Sequence, residues 1–163
     1  MKNIAIIGAG ISGLYIANLL SQNSNYKITI YEKNSSFNLE KGYGIQLSVN
    51  SIKLLNQINF QKISVEDKFH PHKLDFYSLK NNKKICDLDI SMFNSTDRKY
   101  TTLQRSTLIN FLKDGLHENI IYYNKKVIKI NEEAENKEVS FEDGSSVKCD
   151  YLIISDGTFS KTK

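Results

Sequence analysis

Ile4-Ala5-Ile6-Ile7-Gly8-Ala9-Gly10-Ile11-Ser12-Gly13-Leu14 is the stretch that decides the fold. Four apolar residues without polar alternation predict a strand buried on both faces, as in a parallel sheet. Gly-x-Gly-x-x-Gly follows at once, and an apolar helical pattern begins inside it. This is the phosphate-binding turn of a dinucleotide fold. Gly8 lets the chain leave the strand in a tight turn. Gly10 lets backbone approach a pyrophosphate, and Gly13 lets the helix pack close to the strand. The helix start then offers unpaired N–H groups and the positive end of its dipole to a diphosphate.

Working outward, residues 3–7 read as the first strand, and 12–22 as a helix with Leu14, Ala17 and Leu20 on its apolar stripe. Residues 27–31 read as the second strand, which runs into Glu32. Strand, helix and strand together occupy about 30 residues, the size of a nucleotide-binding βαβ unit. Glu32 stands about 20 residues after the glycines, where an acid accepts hydrogen bonds from ribose hydroxyls and repels a 2′-phosphate. The alternative at that position is an ordinary strand-end glutamate. The N-terminus also imitates a signal peptide, with Lys2 before an apolar run. The glycine spacing accounts for the same residues better, and the run is too short to span a bilayer.

Further along, a helix is predicted over residues 50–57, carrying Ile52, Leu54, Leu55 and Ile58. Residues 73–79 and 84–90 flank Asn81-Asn82 as a hairpin. A helix over 105–117 would bury Leu108, Ile109, Leu112 and Leu116, and a short strand is expected at 120–123. Residues 126–131, 138–142 and 146–149 alternate and are joined by polar turns, one at Asp143-Gly144, which predicts an antiparallel meander. Residues 151–154 form a last apolar strand before Ser155-Asp156-Gly157. The fold class is therefore α/β, a Rossmann-like nucleotide-binding arrangement with a mostly parallel sheet and an antiparallel meander.

Bulk composition agrees with a globular chain. The 163 residues allow one domain, or one and part of another. A chain of this size buries roughly 70% of its unfolded surface. The net charge of +4 comes almost wholly from lysine, with Arg98 and Arg105 the only arginines. No basic stripe with interleaved aromatics appears, so nucleic acid is not the expected partner. Cys86 and Cys149 lack metal or redox spacing and read as two small buried thiols of a reduced, cytoplasmic protein. His70-Pro71-His72 has no partner cluster and reads as a loop, so no metal is expected. No clear membrane segment is seen.

The turn and Glu32 leave NAD and FAD open; three later segments narrow the choice. Gly42-Tyr43-Gly44-Ile45-Gln46-Leu47-Ser48-Val49-Asn50, Leu103-Gln104-Arg105-Ser106-Thr107-Leu108 and Ile153-Ile154-Ser155-Asp156-Gly157-Thr158-Phe159-Ser160 follow Tyr31-Glu32-Lys33 in order. Together with the opening turn they resemble the N-terminal, FAD-binding part of the flavoprotein monooxygenases related to p-hydroxybenzoate hydroxylase. The likeness is greatest to the salicylate hydroxylase-like branch, and it covers the whole chain.

The resemblance implies FAD as cofactor and NAD(P)H as reductant. It implies that backbone from Gly8 through Gly10, Ile11, Ser12 and Gly13 holds the pyrophosphate, and that Glu32 with Lys33 holds the adenosine ribose region. Gly44 and Ile45 would approach the flavin, and Arg105 would reach a phosphate or ribityl oxygen. Val127 would present backbone to adenine, and Asp156 would support the diphosphate region through neighbouring groups. The implied reaction is hydroxylation of a small, aromatic substrate with O₂, the flavin carrying the chemistry and the protein the orientation. No catalytic acid or base is named. Lys163 stands where the Asp-Gly motif usually has arginine, without the planar fork. The chain ends there, before the family's Gly-Asp motif. The expectation is a truncated FAD-binding domain over 1–163, with a fragment of the substrate-domain sheet as a hairpin at about 70–100. A partner chain could carry the remainder. A non-catalytic nucleotide-binding module and a related flavoprotein reductase are the competing readings.

Overall fold

In the computed structural model, residues 1–37, 43–117, 120–132, 136–157 and 160 are described. Gly42, Thr158, Phe159 and Lys163 of the motifs above lie outside them. Along the chain the elements are β1 (Lys2–Ile7), α1 (Ile11–Ser21), β2 (Tyr26–Tyr31), β3 (Gly44–Leu47), α2 (Val49–Leu55), β4 (Lys73–Tyr77) and β5 (Lys84–Asp89). They continue as β6 (Thr101–Gln104), α3 (Arg105–Asp114), β7 (Ile121–Tyr122), β8 (Val127–Glu132), β9 (Lys137–Phe141), β10 (Ser146–Cys149) and β11 (Tyr151–Ile154). Two compact units emerge, one of residues 1–40 and 109–163, the other of residues 41–108.

The first unit is built on a parallel sheet ordered β11-β1-β2-β7. Its central strands are apolar on both sides because both faces are covered. Ala5, Ile7 and Tyr31 point to one face, where they form a core with Val139, Phe141 and Cys149 of the meander β8-β9-β10. Ile4, Ile6, Ile28 and Ile30 alternate to the other face and are buried. The helix α1 packs there, with Leu14 and Ala17 fully buried. Buried Asn18 ties α1 to α3: its Nδ2 donates to the carbonyls of Leu14 (2.9 Å) and Leu112 (2.6 Å). The meander turn is pinned on either side of Gly144. Lys125 Nζ reaches Asp143 Oδ2 at 2.5 Å and Ser145 Oγ at 2.8 Å.

In the second unit, β3 pairs antiparallel with β6, and Phe69 bridges to Thr102. Ile52, Leu55, Ile58, Phe60, Ile63, Ile90 and Leu103 are buried. The strand β6 has no counterpart in the sequence reading. The helix α2 starts on Ser48 as N-cap and gives way to a 3-10 turn at Asn56–Ile58, closed by Asn59 at φ 65°. Ile52 and Leu55 turn inward, and Leu54, on the outer side of this short helix, is half exposed.

The predicted hairpin is present as β4 and β5, with Asn82 in the left-handed region at φ 52°. Its alternation puts Lys73, Asp75 and Asp87 on one face and Leu74, Phe76, Cys86 and Leu88 on the other. Ion pairs join Lys73 to Asp87 (2.9 Å) and Lys84 to Asp75 (2.9 Å) and Asp87 (2.5 Å). These hold Asp87 at about 2, chiefly through its hydrogen bond from Lys84. Both faces are largely open, which corrects the expectation of two buried thiols: Cys149 is buried, but Cys86 is exposed. The helix expected over 105–117 ends at Asp114, because Gly115 interrupts it before Leu116. His70 lies in a loop with Nδ1 3.2 Å from the Tyr100 carbonyl. Among the described residues no cluster could hold a metal, and no helix is long and apolar enough to cross a membrane.

Candidate functional site

Parallel pairing decides what meets at the sheet's C-terminal edge. Ile7 is in register with Tyr31 on one side and with Ile154 on the other. The residues that follow these three, Gly8, Glu32 and Ser155, therefore leave the sheet side by side. The Gly8 N–H donates to the Tyr31 carbonyl at 2.8 Å, and the Ser155 N–H to the Ile7 carbonyl at 2.8 Å. Ligands of open α/β sheets bind at this edge.

The three glycines meet different surroundings there. Gly8 has φ +101°, and a Cβ on it would lie 2.5 Å from the Ser155 carbonyl oxygen. A Cβ on Gly13 would collide with the Gly8 carbonyl oxygen and lie 2.7 Å from Ser155 Oγ. A Cβ on Gly10 would meet nothing within 4 Å. Gly10 is the N-cap of α1, without a side-chain cap and without an acid in the first turn. The first helical bond is Leu14 N–H to the Gly10 carbonyl at 2.9 Å. The N–H groups of Ile11, Ser12 and Gly13 precede it and have no acceptor within the helix.

Glu32 is buried at the strand end. Its Oε2 accepts from the Ala9 N–H at 2.8 Å, and its Oε1 from the Asn34 N–H (3.0 Å) and Nδ2 (2.7 Å). A carboxylate offers about four lone-pair sites, so Oε2 keeps one for a hydroxyl donor. The Glu32 charge also adds to burial in raising the Tyr123 phenol above its ordinary value, burial being the larger cause. Lys33 is exposed beside it. The segment before β8 runs against this corner: the Lys125 N–H donates to the Glu32 carbonyl at 2.8 Å and the Asn124 N–H to that of Asn34 at 3.1 Å. Val127 follows directly and packs its side chain on the meander core.

The first unit thus gathers Gly8, Gly10, Ile11, Ser12, Gly13, Glu32, Lys33, Val127 and Asp156 around one sheet edge. Gly44, Ile45 and Arg105 belong to the second unit, where β3–β6 pairing joins them. Gly44 is opposite Gln104 and Ile45 opposite Leu103, and the Arg105 N–H donates to the Tyr43 carbonyl at 3.3 Å. Two residues had no role in the sequence reading. Ser155 Oγ donates to the carbonyls of Ile7 (2.9 Å) and Gly8 (3.2 Å), locking the turn. Asn34 fixes the Glu32 carboxylate. Only the Asx-type spacing Glu32-x-Asn34 could have signalled the second, and no local pattern signals the first.

Comparison with known proteins agrees with this geometry. The NAD(P)-binding Rossmann-like domain family matches residues 6–38. The 6-hydroxynicotinate 3-monooxygenase of Pseudomonas fluorescens is 25% identical over 98% of this chain and 42% of its own length. The salicylate hydroxylase of Pseudomonas putida is 26% identical over 94% of this chain and 35% of its own. In sequence, the chain is similar to these two hydroxylases. The crystal structure of Klebsiella pneumoniae HpxO complexed with FAD and uric acid superimposes with a TM-score of 0.78. That pair shares 25% identity, covering 96% of this chain and 39% of HpxO. The chain therefore spans about two-fifths of the length of the relatives it matches.

Proposed function

We propose that this chain is the FAD-binding portion of a flavin-dependent monooxygenase that hydroxylates a small aromatic substrate with NAD(P)H and O₂. One observation carries the reading: the parallel register that aligns the uncapped glycine turn with the Glu32 carboxylate and the Ser155-Asp156 turn. The residues fit the ADP half of the cofactor. The absence of any neighbour within 4 Å of a Cβ on Gly10 leaves room for a pyrophosphate to approach, and the Ile11, Ser12 and Gly13 N–H groups would be its donors. The free lone pair on Glu32 Oε2 would accept from a ribose hydroxyl, with Lys33 beside it. Val127 would offer backbone to adenine. Asp156 would support the diphosphate region from behind the turn. Gly44, Ile45 and Arg105 would serve the flavin side, the guanidinium through its planar fork. Bound FAD supplies electron transfer from NAD(P)H and activation of O₂.

The domain reading belongs to this proposal: residues 1–163 form an FAD-binding portion, and the β4–β5 hairpin is a fragment of the substrate-binding sheet. Cytoplasmic residence fits two free cysteines. A partner chain carrying the remaining length of the relatives would complete the site.

Titration of the purified chain with FAD, followed by flavin fluorescence, tests the assignment. Weak, saturable binding that ADP competes away is the expected result, because contacts to the isoalloxazine half are missing. FAD that binds but ignores ADP, or ADP that fails to bind, overturns it. NADH oxidation stimulated by an aromatic substrate would extend the reading from the cofactor to the reaction.

A further inference from the structure

The Glu32 carboxylate is unevenly occupied. Both donors on its Oε1 come from one residue, Asn34: the backbone N–H at 3.0 Å and the side-chain Nδ2 at 2.7 Å. On Oε2 the protein donor is the Ala9 N–H at 2.8 Å. Each carboxylate oxygen offers about two acceptor positions, so Oε1 is filled and Oε2 keeps one. A ribose carries two neighbouring hydroxyls. A carboxylate with both oxygens open could take one on each, whereas this one has room on Oε2 alone.

The fold holds Asn34 in this place from a distance. The Asn124 N–H donates to the Asn34 carbonyl at 3.1 Å, and the Lys125 N–H to the Glu32 carbonyl at 2.8 Å. Consecutive N–H groups, 90 positions further along the chain than Asn34, thus clamp the backbone on both sides of Lys33. Asn124 itself turns through the left-handed region at φ 57°. With the backbone fixed, the amide can face the carboxylate only by its nitrogen, since Oδ1 there would set acceptor against acceptor. Asn34 is exposed, so the arrangement serves no core. What it does is orient the acid.

We propose that Asn34 is a positioning residue for nucleotide recognition: it fills Glu32 Oε1, so that the carboxylate meets the ribose through Oε2 and selects one of its two hydroxyls. This rests on the placement of the ADP half given above. Calorimetric titration with ADP, 2′-deoxy-ADP and 3′-deoxy-ADP tests it in the parent, Asn34→Ala and Asn34→Asp. In the parent, one deoxy analogue should bind about tenfold or more weaker than ADP, as loss of a hydrogen bond to a charged group does, and the other within about twofold. Asn34→Ala removes a donor from Oε1 and frees the carboxylate to turn, so the contrast between the analogues should fall to about threefold or less. Asn34→Asp keeps the shape but sets an acceptor against Oε1, and should lose the contrast as well. A role confined to shaping the loop would weaken ADP and both analogues together, with Asn34→Asp the milder change because aspartate also suits such turns. Asn34 is exposed, so circular dichroism should be unchanged in both variants. The proposal is overturned if both variants keep the parent's contrast, or if the parent discriminates against both analogues or against neither. Complete loss of ADP binding in a folded variant also overturns it, because the Ala9 donor and the N–H groups of α1 are untouched. ADP that fails to bind the parent overturns the placement of the nucleotide, and this proposal with it. A contrast that survives in the variants overturns this proposal alone.

Discussion

Replacing each glycine of the opening turn by alanine should separate folding from ligand binding. At Gly13 the new Cβ would overlap the Gly8 carbonyl oxygen and crowd Ser155 Oγ at 2.7 Å. Neither is the loose end of a flexible chain, since Ser155 Oγ is fixed by hydrogen bonds to Ile7 and Gly8. Overpacking of this kind costs about 1–3 kcal/mol. At Gly8 a similar overlap, 2.5 Å from the Ser155 carbonyl oxygen, is joined by a φ of +101°. The backbone strain adds about 1–3 kcal/mol, so Gly8→Ala should cost about 2–6 kcal/mol in all. That is a large share of a domain's roughly 5–15 kcal/mol. Gly10→Ala meets nothing within 4 Å and has φ −77°. Its stability should stay within about 0.5 kcal/mol of the parent. Its methyl group, however, would stand where the proposed pyrophosphate approaches, so FAD and ADP affinity should fall at least tenfold, or by about 1.4 kcal/mol. Urea unfolding followed by circular dichroism gives the first quantity and calorimetric titration with ADP the second. A Gly10→Ala protein as unstable as Gly13→Ala would refute the structural reasoning. One that is stable and binds ADP normally would refute the placement of the diphosphate.

Three other perturbations test separate parts of the fold. Glu32→Ala leaves the buried Ala9 N–H and the Asn34 amide without their acceptor, at about 1–3 kcal/mol for such a loss; denaturant unfolding should show this together with weaker ADP binding. Asp143 is held at about 2, first by the hydrogen bond from Lys125 and then by Ser145. An unfolded aspartate titrates near 3.9, so this folded value is depressed and its contribution is complete above about pH 4. It is lost as pH falls through about 2: the difference in urea midpoint between the parent and Asp143→Asn should be constant above pH 5 and vanish toward pH 2. Gly115→Ala would push a Cβ onto the Asn18 Oδ1 and disturb the link between α1 and α3, lowering Tm by about 2–12 °C for a cost of about 1–3 kcal/mol.

The βαβ opening was legible because its signals are local. An unalternated apolar strand, a glycine spacing and a helical stripe each act within a few residues, and they lead to β1, α1 and β2 within a residue of the expected bounds. The hairpin β4–β5 and the meander were legible for the same reason, through alternation and turn residues. The strand β6 was not. Its Thr101–Gln104 segment pairs with Gly44–Leu47, and such pairing leaves no mark in either segment alone. The exposure of Cys86 was equally hidden, since a small apolar-looking thiol takes its burial from what covers the hairpin, not from its neighbours in sequence.

What the sequence determined by itself is the class of the chain and the place of its turn: a buried parallel strand, three spaced glycines, a helix and a strand-end acid. What tertiary structure decided is the division of labour within that turn. Gly8 and Gly13 are constrained by Ser155, 147 and 142 positions away, while Gly10 is left with open space. The cause is the parallel register of β1 with β11, which carries Ser155 to the end of β1. Only close packing across that register distinguishes a glycine that the fold requires from one that it leaves open to a ligand.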